Sequence, residues 1–232
     1  MFLIQKSIQS RPLKLGDSFI QETDHIKFLG LILDKNLTFK NHIGYIESKI
    51  SRSVGVLFKL KSYLPVRKLK MLCNSLILPH LNYGVECWHA APNFAKNKLE
   101  VLQKKALRAI FGLPYNSHTN DIFKENGLLK ITDIYRTNLL CHLYKIRNMP
   151  ANYDASLHPR LMSTIHSYST RNSNNLEIPR YNKATSQSSF LFQSAKEWNI
   201  IPENIRNSSS LASFKSNLRR FYCKPLLNAT NP

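Results

Sequence analysis

The sequence predicts a mainly α-helical protein with a small β portion at its N-terminus. Residues 26–33, IKFLGLIL, form an almost uninterrupted apolar run of the length typical of a buried strand. From residue 43 onward the apolar residues instead recur at steps of three and four, which is the spacing of one face of an α-helix. The chain has 232 residues, of which 43% are hydrophobic, so it is long enough to bury a sizeable core.

The β portion is expected before residue 36. Short strands are predicted at 2–5, 12–15, 18–23 and 25–33. Gly16-Asp17 is a suitable hairpin turn between two of them. The run at 26–33 carries apolar side chains on both faces, so we expect a strand that is covered on both sides. Such a strand raises the question of where the rest of its sheet lies.

Helices are expected in most of the remaining chain. Thr38 or Asn41 can cap the first helix. Its inward stripe consists of Ile43, Ile46, Ile50, Val54 and Leu57. A second helix is expected to begin at Pro65, and others are predicted at 94–111, 119–126, 131–148, about 189–199 and about 209–222. Residues 149–187 are rich in Ser, Asn, Thr and Pro, which predicts an extended or disordered connection.

The chain is strongly basic. It has 33 Lys and Arg against 14 Asp and Glu, a formal net charge of +19, and residues 35–108 hold 14 of the basic residues but three acidic ones. Such an imbalance is typical of proteins that bind a polyanion, most often nucleic acid. A membrane surface is the rival partner, but no run of about 18 apolar residues could span a bilayer. We therefore expect RNA, DNA or an RNA–DNA hybrid as the partner, and no membrane.

The candidate nucleic-acid-binding residues are basic residues on or beside the predicted helices of this segment. They are Lys49, Arg52, Lys59, Lys61, Arg67, Lys68, Lys104, Lys105 and Arg108. For a single lysine a solvated position is the simpler interpretation, but an ordinary soluble surface mixes both signs of charge. Four aromatic residues are interleaved with them, namely Tyr63, Tyr83, Trp88 and Phe94. We expect these in the core, with base stacking as the alternative.

The sequence predicts no catalytic residue, no metal ligand and no cofactor in this chain. Its few Asp and Glu are isolated, and two-metal phosphoryl-transfer chemistry requires clustered carboxylates. The four cysteines are far apart and form no CxxC pair, which argues against structural zinc. Glu86, Cys87 and His89 form the most enzyme-like group, but a packed helix terminus is the favoured interpretation.

Several stretches carry motifs in a fixed order. FLGLILDKNLTFKNHI is followed by LILPHLNYGVECW and then by LEVLQKKALRAIFGL. The first stretch contains the first motif, which consists of Phe28, Leu29, Gly30, Asp34, Leu37, Phe39 and His42. The second stretch contains the second motif, which consists of Pro79, Leu81, Tyr83, Gly84 and Trp88. The third lies in the tail and consists of Phe190, Ala195, Trp198, Asn199, Pro202, Ile205, Arg206, Leu211, Phe214, Lys215 and Leu218. Together they resemble the region C-terminal to the catalytic palm in reverse transcriptases of non-LTR (LINE-type) retrotransposons, in particular the Jockey-like and CR1-like groups. Phe28 and Phe39 stand where that family usually has Tyr and Trp.

The resemblance implies a division of the chain into four parts. Residues 1–36 correspond to the edge of a polymerase palm sheet, 37–148 to a helical thumb-like domain, 149–187 to a Ser/Asn-rich linker, and 188–232 to a C-terminal helical extension. In that family the metal-binding Asp residues, the YxDD turn, the fingers and the endonuclease domain precede this region. The resemblance thus implies a fragment of an RNA-directed DNA polymerase that keeps the thumb, lacks the catalytic carboxylates and is inactive alone. Mg²⁺ is expected only in the complete polymerase, whose missing palm and fingers are expected partners.

Two other interpretations stay open on the sequence. One is a domesticated nucleic-acid-binding module, which a stable isolated fold favours. The other is a non-functional relic of a truncated element, in which the exposed strand edge at 26–33 is an aggregation site. An intracellular location is expected because no N-terminal signal is visible, and a nuclear one if the chain acts as a retrotransposon polymerase.

Overall fold

The computed structural model describes residues 14–165 and 173–223, and it confirms the predicted fold class. These residues form a mainly α-helical protein with two small antiparallel strand pairs near the N-terminus. The strands are β1 (Lys14–Leu15), β2 (Ser18–Phe19), β3 (His25–Phe28) and β4 (Leu31–Asp34). The helices are α1 (Lys40–Leu60), α2 (Val66–Leu76), α3 (Leu78–Asn82), α4 (Val85–Trp88), α5 (Asn93–Phe111), α6 (Asn120–Glu125), α7 (Ile131–Asn148), α8 (Ala184–Gln187), α9 (Phe190–Ile200), α10 (Glu203–Arg206) and α11 (Leu211–Cys223). The strand predicted at 2–5 lies outside the described residues.

The first strand pair is the predicted hairpin around Gly16-Asp17. Lys14 pairs with Phe19, and Leu15 pairs with Ser18. Gly16 has a φ of 60°, a conformation that glycine adopts without steric strain. The second strand of this pair ends at Phe19, which is shorter than the predicted 18–23.

The apolar run at 26–33 also forms a hairpin, so the prediction of one doubly covered strand is wrong. β3 and β4 pair antiparallel with Phe28 opposite Leu31, and Leu29-Gly30 is the two-residue turn between them. Both turn residues have positive φ (45° and 82°), as in the tight turns that join antiparallel strands. Periodicity gave no sign of this reversal because Leu29 is not a usual turn residue. β3 is exposed, whereas β4 is half-buried and packs on α1.

The first hydrophobic core lies between α1, α5 and the helices around them. The predicted inward stripe of α1 is buried throughout. It packs mainly against Leu99, Leu102 and Ala106 of α5, while α2, α3, α4 and the N-terminal half of α7 complete the cluster. Burial of this stripe leaves the opposite side of α1 at the surface. None of the described helices is long and apolar enough to cross a membrane.

The second core joins α7 to the C-terminal helices. Leu140 and Leu143 of α7 pack with Trp198 of α9 and Phe214 of α11. The N-terminal half of α7 belongs to the first core, so this helix contributes to both clusters. The helical bundle and the C-terminal extension are therefore packed together through α7.

Part of the segment predicted as an extended or disordered connection is packed. Leu176 is buried in the second core. The Asn199 side chain donates to its carbonyl and accepts from its N–H, both at 2.9 Å. Leu161 and Leu176 form an isolated antiparallel bridge. The connection differs from the prediction here because one leucine among polar residues gives no periodic signal.

Candidate nucleic-acid interface

The first motif fixes the start of α1 through Asp34. Its carboxylate accepts hydrogen bonds from the N–H groups of Asn36, Thr38 and Phe39 (3.2, 2.9 and 2.7 Å). The Thr38 hydroxyl donates to it as well, at 3.1 Å. Burial opposes the charged form, but these hydrogen bonds outweigh it and lower the pKa of Asp34. The resulting turn, with Leu37 and Phe39 at positive φ (51° and 55°), directs the chain from β4 into α1.

The second motif packs against the hairpin turn of the first. The Tyr83 hydroxyl donates a hydrogen bond to the Leu29 carbonyl. A Cβ added to Gly30 would lie 3.1 Å from the Tyr83 ring. Gly84 has a φ of 59°, and a Cβ there would lie 2.6 Å from the Leu31 side chain. The two motifs therefore form one structural unit, which holds the β3–β4 hairpin on α3 and α4.

His42 and Trp88 complete this unit in the interior. The buried His42 accepts the Ile32 N–H at Nδ1 (3.3 Å), and its ring centre lies 6.5 Å from that of Trp88. Burial lowers the pKa of His42 and so favours the neutral imidazole. The Trp88 Nε1–H donates to the Tyr83 carbonyl at 2.9 Å. His42 and Trp88 thus stabilise the fold from its interior and are not exposed for contact with a ligand.

The outer face of α1 is open and basic. Gly44, Ser48, Arg52, Gly55 and Lys59 recur at steps of four and three opposite the buried stripe, and all are exposed. We refer to these five residues as the α1 outer row. A Cβ built on either glycine meets no atom of the described residues within 4 Å. Glycine inside a helix destabilises it by roughly 0.5–1 kcal/mol relative to alanine, and no contact of the described residues requires it here. The small residues leave room for a ligand backbone to approach α1 between basic side chains.

Three predicted binding residues, Lys49, Arg52 and Lys59, flank or belong to the α1 outer row. Lys49 is partly exposed, and its Nζ lies 5.5 Å from the centre of the Tyr45 ring. Arg52 is exposed and donates to the Ser48 carbonyl and hydroxyl, both at 3.3 Å. These contacts orient the two cations without neutralising them, since no acceptor in them is a carboxylate.

Four predicted residues, including Lys59 of the α1 outer row, lie around the turn from α1 to α2. Lys59 and Lys61 stand at the end of α1, and Arg67 and Lys68 in the first turn of α2. All four are exposed, and the Lys61 Nζ lies 5.3 Å from the centre of the Phe58 ring. No ion pair engages them within the described residues. This end of the helix pair is therefore a cluster of uncompensated positive charge.

The predicted residues of α5 are more engaged within the protein. The Lys104 Nζ pairs with the Glu100 carboxylate at 2.6 Å. Arg108 donates to the Ser117 carbonyl from Nε (3.2 Å) and from Nη2 (3.0 Å). Lys105 is half-buried. The geometry therefore favours the α1–α2 part of the predicted surface over the α5 part.

One of the four interleaved aromatic residues is in the core, and the core prediction is wrong for the others. Trp88 is buried, whereas Tyr63, Tyr83 and Phe94 are 81%, 56% and 61% exposed. Tyr83 is held by the hairpin, and the Lys40 Nζ lies 5.7 Å from the centre of the Phe94 ring. Tyr63 lies in the α1–α2 turn beside the basic cluster, where its ring can stack on a base.

The Glu86, Cys87 and His89 group does not assemble into a catalytic site. The Glu86 carboxylate pairs with His142 Nδ1 at 2.8 Å. Burial and the Glu86 charge raise the pKa of Cys87, which disfavours a reactive thiolate. His89 stacks on Tyr135 with 3.7 Å between ring centres, and burial and nearby positive charge lower its pKa to about 3. No local sequence pattern indicates this stack, because His89 directly follows α4 and Tyr135 lies on α7, and the two helices meet only in the folded chain. No three His, Cys, Asp or Glu side chains of the described residues are grouped to hold a metal ion.

The third motif is structural as well. Trp198 and Phe214 are buried, with 5.8 Å between their ring centres. Arg206 donates to the carbonyls of Ile201 (2.8 Å) and Asn199 (2.9 Å). Trp198, Arg206 and Phe214 of the third motif therefore hold α9, α10 and α11 against one another.

Comparison with known proteins places the sequence similarity on about half of the chain. The RNA-directed DNA polymerase from mobile element jockey of Drosophila melanogaster is 32% identical over 124 residues, 51% of this chain and 13% of that protein. The polymerase of the same name from Drosophila funebris is 30% identical over 125 residues, 53% of this chain and 14% of that protein. Half of this chain is homologous to jockey-type RNA-directed DNA polymerases.

The similarity extends to the polymerase of another transposon and confirms the resemblance to reverse transcriptases of non-LTR retrotransposons. The probable RNA-directed DNA polymerase from transposon BS of Drosophila melanogaster is 29% identical over 107 residues, 45% of this chain and 12% of that protein. The aligned part spans only 12–14% of these relatives. No protein-family model and no solved structure matches the chain.

Proposed function

We propose that this chain is the thumb and adjoining part of a non-LTR retrotransposon RNA-directed DNA polymerase, and that it grips the template–primer duplex through α1. The observation that carries the proposal is the α1 outer row, in which small residues alternate with the exposed Arg52 and Lys59. The jockey-type relatives supply the class of ligand, because copying RNA into DNA produces an RNA–DNA hybrid.

The physical basis is backbone contact without sequence readout. Proteins position a duplex chiefly through its phosphates, and A-form duplexes present a wide, shallow minor groove. The glycines let the helix approach such a groove, while Arg52 and Lys59 reach the phosphates beside it. Lys61, Arg67 and Lys68 extend the contact along the backbone. Binding is therefore expected to be salt-sensitive and weakly selective.

The exposed apolar residues of the β3–β4 hairpin support a contact with a further protein segment. Ile26, Phe28 and Leu29 are 60%, 57% and 73% exposed, close together at the surface. A patch of this kind indicates a contact with another protein segment. In our proposal the palm and fingers of the polymerase cover it and supply the catalytic carboxylates and their Mg²⁺. The chain alone is then inactive as a polymerase, and the complete enzyme acts in the nucleus.

Fluorescence anisotropy with a short labelled RNA–DNA hybrid, titrated at several salt concentrations, tests the grip. We expect the Arg52→Gln/Lys59→Gln variant to bind several-fold more weakly. The slope of log affinity against log salt should fall by about two, because two phosphate contacts are lost. The matched control is Lys124→Gln/Lys196→Gln, which removes two exposed charges from α6 and α9. Equal losses in both variants, or in neither, would refute the proposed surface.

A nucleic-acid-binding module that works without a polymerase is the second candidate. Two packed hydrophobic cores favour it, because the described helices bury their apolar faces against one another within this chain. Sedimentation of the purified chain separates the two functions. An exposed palm-docking hairpin predicts self-association that Phe28→Lys abolishes, whereas an independent module predicts a monomer with or without that change.

A further inference from the structure

A polar cleft opens where the C-terminal end of α7 meets α9 and α10. Its volume is about 600 Å³. The lining includes Arg147 and Asn148 from α7, Glu203 and Arg206 from α10, and Asn207 directly after it. Its lining residues belong to neither α1, α2 nor α5, so the cleft is separate from the α1 outer row.

Arg206 is fixed at this cleft by neutral acceptors. Its Nε donates to the Ile201 carbonyl (2.8 Å), and its Nη2 to the Asn199 carbonyl (2.9 Å). Its Nη1 donates to Asn175 Oδ1 (2.9 Å) and to the Asn174 carbonyl (3.5 Å). A guanidinium has five N–H groups, so one of them remains. The orientation of Arg206 is therefore fixed while its charge stays uncompensated by these contacts.

Arg147 brings a second guanidinium to the same cleft. Its guanidinium carbon lies 5.2 Å from the centre of the Trp198 ring. Within the described residues no hydrogen bond or ion pair engages this side chain, so its donors are available. Burial lowers the pKa of Arg147, and the charge of Arg206 lowers it further, as expected for two cations in one cleft.

The charge balance of the cleft favours an anion. Glu203 is the acidic residue in its lining, and Glu203 Oε1 accepts a hydrogen bond from the Asn174 amide at 3.1 Å. Two guanidinium groups against one carboxylate leave one net positive charge, which one phosphodiester group balances. Guanidinium forks also match the paired oxygens of a phosphate. Asn207 adds an exposed side-chain amide.

We propose that this cleft binds a phosphate group, held between Arg147 and Arg206 with Asn207 at the rim. The net charge favours a phosphodiester of a single-stranded polynucleotide over a free phosphate or pyrophosphate, which shares the same chemistry. The site would hold a strand that has left the duplex or has not yet entered it. It does not require the α1 outer row.

The test compares Arg147→Gln with Lys196→Gln, a control that removes an exposed charge from α9. One arm measures anisotropy of a labelled single-stranded DNA over a range of salt, and the other measures heat on titration with inorganic pyrophosphate. We expect Arg147→Gln to weaken the oligonucleotide about tenfold and to lower its salt slope by about 0.7, as for one phosphate contact on a single strand. Both changes should appear equally in the wild-type and the Arg52→Gln/Lys59→Gln backgrounds, so failure of the α1 surface does not decide this test.

The outcomes are distinct. Loss of pyrophosphate binding in Arg147→Gln, with unchanged oligonucleotide binding, supports the phosphate site with a free phosphate as its ligand. The proposal is overturned if neither probe loses affinity in Arg147→Gln, or if Lys196→Gln loses as much. Asn207→Asp tests the same site without altering an arginine, and it should weaken the phosphate probe while the thermal unfolding midpoint stays unchanged.

Discussion

The two glycines of the α1 outer row give a prediction in which stability and binding change in opposite directions. In Gly44→Gln/Gly55→Gln, each new side chain enters a space that holds no atom of the described residues within 4 Å of its Cβ. A glutamine in a helix interior is more favourable than a glycine by roughly 0.5 kcal/mol, so the pair should stabilise the protein by about 1 kcal/mol. For a domain of this size the unfolding midpoint should rise by about 2–4 °C.

Binding of the RNA–DNA hybrid should weaken in the same variant. The added side chains prevent close approach to the helix, and Arg52 and Lys59 then reach the phosphates less well. We expect the affinity to fall at least roughly tenfold, equivalent to about 1.4 kcal/mol. Anisotropy and thermal unfolding measured on the same preparations check both halves of the prediction.

The control is Ser216→Gln, which adds the same side chain to an exposed position on α11. It should leave the affinity unchanged. A glycine variant that is more stable and binds as tightly as the wild type would show that α1 does not face the duplex. A variant with a lower unfolding midpoint would contradict the open outer face itself.

Three further predictions concern the motif residues, each checked by urea unfolding. Asp34→Asn should destabilise the protein by about 1–2 kcal/mol, because the turn into α1 loses hydrogen bonds to a carboxylate. The pKa of Asp34 in the folded protein lies below its ordinary value of 3.8. The difference in unfolding free energy between the wild type and Asp34→Asn should therefore be complete above about pH 5 and disappear as the pH falls through the folded-state pKa of Asp34. A difference that does not change with pH would contradict this. Gly84→Ala should lower the unfolding free energy by about 1–2 kcal/mol or more, because the positive φ disfavours a Cβ that would also displace Leu31. An unchanged urea midpoint would show that the turn relaxes. Asn199→Ala should cost about 1–3 kcal/mol, since it leaves the backbone groups of the buried Leu176 unpaired, and a smaller loss would mean that water replaces the amide.

The helices were predictable because their evidence is local and repeated. The inward stripe of α1 extends over four turns, so each apolar residue supports the same assignment. The hairpin at 26–33 was not predictable from periodicity, because its turn depends on the backbone conformation of Leu29 and Gly30. It also depends on a hydrogen bond from the Tyr83 hydroxyl, which lies between α3 and α4. Leu176 was missed for the same reason, since its partner Asn199 is 23 residues away.

The candidate surface was predictable in sign but not in detail. Charge counts identified the basic segment, yet they could not separate Arg52, which is exposed, from Lys104, which is paired with Glu100. They also gave no weight to Gly44 and Gly55, because a glycine carries no charge and weakens a helical pattern. The cleft of Arg147 and Arg206 lay outside the basic segment and became visible only when α7 and α10 were brought together.

The motif residues that carry the family resemblance are not the residues that contact nucleic acid in our proposals, with Arg206 as the exception. The Asp34 carboxylate accepts the hydrogen bonds of the turn before α1, and Gly84 leaves space for the Leu31 side chain. Each of these roles requires one residue type at one position. A phosphate contact is less demanding, because it requires only a positive charge within reach of the backbone, and that charge can come from the next helical turn. Sequence motifs of this kind therefore report the fold of a chain more directly than its contacts. The contact surface has to be found from helix geometry, and in this chain that geometry leads to the open face of α1.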